Sequence, residues 1–199
     1  WSVLMLSIRK GHHRVAKLLL TRGADLHQQR PSGETAVFDA ATAGSCELVV
    51  ALAELGANLD TPMNDGATPA FVAAQEGHVE VVRVLAELGA NGETPNNNGA
   101  TPVLIAAQQG HTKVVKVLAE LGANLKTPNN TGTTPVMIAV EKGHEKVARL
   151  LAQLGAGETE QEAAEREEQL LKELEDLEVR IQKWLSGVEP TSRSSSHPA

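Results

Sequence analysis

Apolar positions along this chain fall into two alternating kinds of cluster. One is short and made of small residues, as in Ala73-Ala74 and Ala106-Ala107. The other is longer: Val79, Val81, Val82, Val84, Leu85 and Leu88, with Glu80, Arg83 and Glu87 as its polar positions. That spacing sets the apolar side chains in one stripe along an α-helix. Each pair of clusters therefore predicts two helices joined by a turn. The block from Gly66 to Asn98 and the block from Gly99 to Thr131 are nearly copies. Repetition at this length predicts a stack of one small unit, each burying its apolar side against the next.

Glycine marks the period. Gly33, Gly66, Gly99 and Gly132 lie 33 residues apart, and so do Gly11, Gly44, Gly77, Gly110 and Gly143. A third series, Gly23, Gly56, Gly89, Gly122 and Gly155, keeps the same register. Glycine recurs where the backbone must turn, often at positive φ. Thr68-Pro69, Thr101-Pro102 and Thr134-Pro135 open the first helix of their units. Threonine caps the N-terminus, and proline fits the first turn, where no donor is lost. Gly77 or Gly110 ends that helix. Segments such as Thr94-Pro95-Asn96-Asn97-Asn98-Gly99 supply the turn formers between units.

A 33-residue helix–turn–helix unit with T-P, then A-A, then G-H, then L-x-x-L-G-A resembles the ankyrin repeat. The resemblance covers residues 1 to about 156 as five units: 1–32, 33–65, 66–98, 99–131 and 132–156. It implies an all-α solenoid. It also implies a protein–protein interaction scaffold without enzymatic activity or cofactor, which takes a protein or peptide partner on its concave side. Some positions depart from the family pattern. Where T-P-L-H usually stands, the His place holds Phe38, Phe71, Leu104 and Met137, so apolar packing must replace a polar link. Unit 2 has lost its proline at Ala36, and unit 1 begins Ser2-Val3-Leu4-Met5. These two units are expected to be the least regular. The place two residues after G-A-x, where the family often carries a hydroxylatable Asn, holds His27, Asp60, Glu93 and Lys126.

Carried over by position, the family's binding surface comprises first-helix ends and loop tips. The first-helix candidates are Arg9 and Lys10, Gln75 and Glu76, Gln108 and Gln109, and Glu141 and Lys142, with Thr42 and Ala43 at the same place in unit 2. The loop-tip candidates are Glu34, Asn64 and Asp65, Asn97 and Asn98, and Asn130. This surface lacks Trp and Tyr, the usual anchors of an interface, so amide hydrogen bonds would have to carry much of the recognition.

Other constellations are weaker. His12, His78, His111 and His144 recur once per unit. Metal ligands must converge on one point, so these are expected to hold their local turns. Cys46 stands at the place of Val79 and is expected to pack as a small apolar residue. No phosphate-binding glycine loop of the G-x-x-x-x-G-K-[ST] or G-x-G-x-x-G type occurs, nor does G-x-S-x-G. Asn129-Asn130-Thr131 matches a glycosylation sequon, which is read as chance for want of a secretion signal.

After Gly155-Ala156-Gly157 the composition changes. Thr159-Glu160-Gln161-Glu162 reads as a capping box, and no Gly or Pro interrupts Glu160 to Leu185. One amphipathic helix over 157–187 is expected, with a disordered Ser- and Pro-rich tail over 188–199. Leu170, Leu174, Leu177, Ile181 and Trp184 are spaced 4, 3, 4, 3, as in the seam of a coiled coil. Three readings stay open: a partner or self-association element, a lid over unit 5, or a solvated helix.

Composition narrows the functional classes. The chain has 199 residues and a formal net charge of −7, which argues against a nucleic-acid binder working by bulk electrostatics. From Glu158 to Leu185 there are 10 acidic and 4 basic residues, so most of the negative balance lies there and the repeat region is nearly neutral. Aromatic content is 2%, which makes the core aliphatic. One cysteine permits no internal disulfide. It fits a reducing compartment, so the expected location is intracellular, cytoplasmic or nuclear. No apolar run is long enough to span a membrane. The chain lacks an initiator Met, which reads as a fragment or processed product; an alternative reading is the interaction region of a larger enzyme or channel.

Overall fold

The computed structural model describes residues 2–155, with Lys172 and Val179. The segments expected over 157–187 and 188–199 otherwise lie outside the described residues, including the seam from Leu170 to Trp184. The chain divides into two units, Trp1–Gly157 and Glu158–Ala199, and the account below concerns the first.

Among the described residues all regular structure is helical, in five pairs. The first helices are α1 (Val3–Arg9), α3 (Ala36–Thr42), α5 (Pro69–Glu76), α7 (Pro102–Gln108) and α9 (Pro135–Glu141). The second helices are α2 (His13–Thr21), α4 (Cys46–Glu54), α6 (Val79–Glu87), α8 (Thr112–Glu120) and α10 (Glu145–Gln153). Each first helix packs on its own second helix and on the first helix of the next unit, and the second helices form a parallel row. The result is two layers of helices.

Local chemistry starts and stops these helices as their sequence predicts. Thr68, Thr101 and Thr134 accept bonds from the backbone N–H three residues on, at 3.2, 3.3 and 3.3 Å. Proline follows each of them at the first helical position. Gly77 closes α5 in the left-handed conformation, φ 80°. The prolines missing from units 1 and 2 leave no mark on helix length. Ser2 and Thr35 cap α1 and α3 in the same way, and both helices run 7 residues, as α7 and α9 do. The irregularity expected of these units lies in what crosses between them, not in the helices.

The inner first helices are buried almost all round: Pro69–Ala74 in α5 and Pro102–Ala107 in α7 are all buried, whereas α1 and α9 at the two ends expose Val3, Leu6 and Val140. Small residues there let adjacent units approach closely. The second helices bury only a stripe. Leu52, Leu85, Leu118 and Leu151, one in each of units 2 to 5, are at most 1% exposed, and burying each contributes about 1.5–3 kcal/mol. Phe38, Phe71 and Leu104, at the family's His place, are buried in the same core. Cys46 is half-buried and packs against it, and burial pushes its thiol pKa up.

Candidate partner-binding surface

Each unit is entered through a tight turn. Arg30, Met63, Asn96 and Asn129 stand at the same place in successive turns. Their carbonyls accept from Gly33, Gly66, Gly99 and Gly132 N–H at 2.8, 2.9, 2.9 and 2.9 Å. Successive turns are joined by a ladder. Asn64, Asn97 and Asn130 donate their backbone N–H to Ser32, Asp65 and Asn98 carbonyls at 3.0, 2.8 and 3.0 Å. Their side-chain Nδ2 groups donate to Pro31, Asn64 and Asn97 carbonyls at 2.8, 3.0 and 3.0 Å. Each asparagine thus spans two units by two bonds.

This ladder explains a glycine series. A Cβ on Gly99 would lie 2.8 Å from Asn130 N, and one on Gly66 would lie 2.8 Å from Asn97 N. Gly132, with no rung following, would meet nothing within 4 Å. The glycine is required by its positive φ and also by the asparagine of the next unit.

Histidine forms a second ladder. His78, His111 and His144 place Nε2 at 2.9, 2.8 and 2.9 Å from Thr42, Gln75 and Gln108 carbonyls. These rings reach back one unit and cap the end of the preceding first helix, where carbonyls lack intrahelical donors. They do not serve only their local turn, as the sequence suggested. A third link joins the loops after the second helices. Asp60 Oδ1 accepts from Asn91 N at 2.8 Å, and Glu93 Oε1 accepts from Asn124 N at 2.6 Å. Asp60 and Glu93 hold the place of the family's hydroxylatable Asn, and both are structural here.

The candidate residues fall along these ladders. Asn64, Asn97 and Asn130 have their donors committed to the stack. Asp65 Oδ1 accepts from Ala67 N at 2.9 Å, within its own turn. Gln75 donates to Glu76 at 3.1 Å, and Glu141 pairs with Lys142 at 3.0 Å. Among the described residues, the side-chain amides of Asn98, Gln108 and Gln109 are uncommitted. Arg9 and Lys10 are exposed at the end of α1.

Glu34 belongs to a cluster that sequence reasoning missed. Arg30 and Asp39 form an ion pair, 7% and 4% exposed, and Arg30 Nη1 lies 3.3 Å from Glu34 Oε1. Asp39 Oδ2 is buried and accepts no hydrogen bond. Burial pushes the Asp39 carboxyl above its ordinary pKa, against the opposing pull of Arg30 and Arg9. Burial also raises Glu34, but the Ser32 hydroxyl, its own backbone N–H, Arg30 and Arg9 outweigh that and hold it below the ordinary value. The signal was present in the register. Asp39 stands where Val72, Ile105 and Ile138 stand, and Arg30 where Met63, Asn96 and Asn129 stand.

The junction between units 1 and 2 differs in a second way. Ser45 occupies the His place of unit 2. Its hydroxyl caps α4 through Leu48 N and lies 3.1 Å from His13 Nδ1. Lys17 and Glu47 form a further ion pair across the same junction.

A family model described as ankyrin repeats, in three copies, matches residues 4–96 and 88–162. The chain belongs to the ankyrin-repeat family. It is also 43% identical over 49 residues to a mouse protein described as protein fem-1 homolog A-like. That match covers 25% of this chain and 8% of the mouse protein. Ankyrin repeats mediate protein–protein interaction. No helix among the described residues is long and apolar enough to cross a membrane.

Proposed function

We propose that the repeat stack is a rigid scaffold that binds an extended segment of a protein partner along the loop tips and first-helix ends. The observation that carries this reading is the set of inter-unit ladders. They hold Asn98, Gln108 and Gln109 at repeating positions with their amides unspent. A surface preorganised in this way loses little entropy when a partner settles on it. Peptide backbone, with one donor and one acceptor per residue, suits a row of such amides. The test is capture of partners by the immobilised full chain, wild type against a variant with Gln75, Glu76, Gln108 and Gln109 all changed to Ala. The variant should lose the partners. Unchanged capture would move the binding surface elsewhere.

A second contact is proposed on the seam Leu170, Leu174, Leu177, Ile181 and Trp184, which the sequence pattern alone supports, in a segment over 157–187 whose acidic composition predicts an amphipathic helix. The reading is self-association through that stripe. Molar mass in solution, with and without residues 158–199, tests it: one mass for one chain in both cases would remove the idea.

A further inference from the structure

Asn-Gly occurs twice in the chain, at Asn91-Gly92 and Asn98-Gly99. The dipeptide has a chemistry of its own. The backbone nitrogen that follows an asparagine can attack the side-chain amide carbon, and glycine leaves that nitrogen unshielded and the backbone free to turn. Both asparagines are exposed, so access to water does not separate them. Hydrogen bonding does.

The Asn98–Gly99 peptide is held on both sides. Its N–H donates to the Asn96 carbonyl at 2.9 Å, and its carbonyl accepts from Asn130 N at 3.0 Å. The Asn98 N–H is also engaged, with Asn96 Oδ1 at 3.0 Å. Among the described residues, the Asn91–Gly92 peptide has neither its N–H nor its carbonyl bonded. Its nitrogen is free to lose a proton, and its plane is free to rotate toward the side chain.

Register supplies a second contrast. Asp25, Asn58, Asn91 and Asn124 stand at one place, and each Oδ1 accepts from the N–H two residues on, at 2.9, 2.8, 2.9 and 2.9 Å. The turn is therefore shared. What differs is the next residue: Leu26, Leu59 and Leu125 in units 1, 2 and 4, and Gly92 in unit 3. The backbone does not require glycine there. Gly92 is absent from the glycines of positive φ, and a Cβ built on it would meet nothing within 4 Å.

We propose that Asn91 is a site of spontaneous deamidation, and that its conversion loosens unit 3 from both neighbours. The Gly92 nitrogen gives its proton to solvent and bonds to Asn91 Cγ. The Cγ–Nδ2 bond breaks, and ammonia leaves with a proton from water. Water then opens the cyclic imide at either carbonyl, which leaves aspartate or isoaspartate at position 91. Amide and water become acid and ammonia, with no oxidant or reductant. The product adds a carboxylate, and in isoaspartate a backbone methylene, to a segment that carries two links. Asn91 N donates to Asp60 Oδ1 of unit 2 at 2.8 Å, and Glu93 Oε1 accepts from Asn124 N of unit 4 at 2.6 Å. The new charge repels both acidic side chains. Position 91 follows a second helix, apart from the partner surface proposed above, and does not depend on it.

The test incubates the full chain at neutral pH, folded and in urea, and follows both dipeptides by peptide mass spectrometry. In the folded chain Asn91 should convert at least about tenfold faster than Asn98, whose peptide must first break its bonds. In urea, where those bonds are gone, the two rates should converge. Gly92→Leu copies units 1, 2 and 4, so it should fold and suppress conversion at position 91. Folded chains that carry the converted residue, separated by charge, should melt below unconverted chains. Asn98 reacting as fast as Asn91 in the folded chain, or Asn91 reacting only in urea, would overturn the site. An unchanged melting midpoint would overturn its consequence.

Discussion

The junction between units 1 and 2 and the junction between units 3 and 4 set the same helices side by side at the same register. An asparagine rung crosses both, and the other crossing groups differ. Between units 3 and 4, Asn130 bonds to the Asn97 and Asn98 carbonyls, His111 reaches the Gln75 carbonyl, Glu93 accepts from Asn124 N–H, and one half-exposed ion pair, Arg83–Glu120, lies on the surface. Between units 1 and 2 the His rung is gone, Ser45 meets His13, and Lys17 pairs with Glu47. A buried ion pair, Arg30 of unit 1 with Asp39 of unit 2, also stands there, where the next junction has Met63 and Val72. Neutral rungs can be copied from unit to unit because each uses only backbone and one side chain in fixed register. A buried ion pair is a single event, and its stability depends on both partners being present.

The largest expected effect breaks that pair. Arg30→Met alone should lower the unfolding free energy by about 3–5 kcal/mol, since it leaves Asp39 buried without its cation. Arg30→Met combined with Asp39→Val rewrites the junction of units 1 and 2 in the residues, Met63 and Val72, that the junction of units 2 and 3 already uses. The double variant should regain wild-type stability or exceed it by about 1–4 kcal/mol. Urea unfolding of both variants checks this; a double variant as weak as the single would mean that the first junction cannot accept the apolar solution of the second.

Next comes the asparagine ladder. Gly99→Ala should cost about 2–4 kcal/mol, because it adds a clash with Asn130 to the strain of positive φ. Gly132→Ala has the same sign of φ, 80° against 76°, but no rung above it, and should cost about 1–2 kcal/mol. Thermal unfolding of the two separates clash from strain, and equal losses would deny the ladder any part in the glycine requirement.

The histidine ladder should be weaker. His111→Ala removes one bond to the Gln75 carbonyl and should cost about 0.5–1.5 kcal/mol. His12 stands at the same place in unit 1 and is exposed, and His12→Ala should leave the urea midpoint unchanged. Comparable losses at the two positions would show that the ring acts within its own turn.

The smallest effect is a slope with pH. The folded Asp39 carboxyl titrates above its ordinary value of 3.8, so the native state holds that proton more tightly than the unfolded chain does. Its contribution is fully present below 3.8 and is lost as pH rises through the raised folded value. Glu34 runs the opposite way, with stability present above its ordinary 4.5 and lost as pH falls through its lowered value. Comparing wild type with Asp39→Asn cancels Glu34 to first order. The difference should move against the wild type as pH climbs from about 3 toward neutrality, then level off. A difference that moved the other way would place Asp39 below its ordinary value.

Much of this could be read from the residues alone. Period, unit type and helix order followed from glycine spacing and the T-P and A-A positions, because those features act locally. Thr68 caps its helix and Gly77 turns the chain whatever lies in the next unit. The partners of His78, Asn97 and Glu93 could not be read in this way. Periodicity says that a residue recurs, but not which atom one unit away it meets. The candidate surface was legible as a row of positions. Which amides are spent on the stack, as in Asn97, and which are left over, as in Asn98, was not. Arg30, Asp39 and Gly92 were visible as breaks in register. Their meaning depended on three-dimensional neighbours: a cation nine residues before its carboxylate, and a peptide before Gly92 that finds no partner among the described residues.

The amino-acid sequence by itself determined that this chain is a stack of helical pairs with a nearly neutral repeat region and an acidic C-terminal segment. Local propensity and a 33-residue period are enough for that. Only the tertiary structure decided which polar groups hold the stack together and which stay unbonded. Both depend on distances between residues about one period apart, where a side chain either finds a carbonyl 3 Å away or stays unspent.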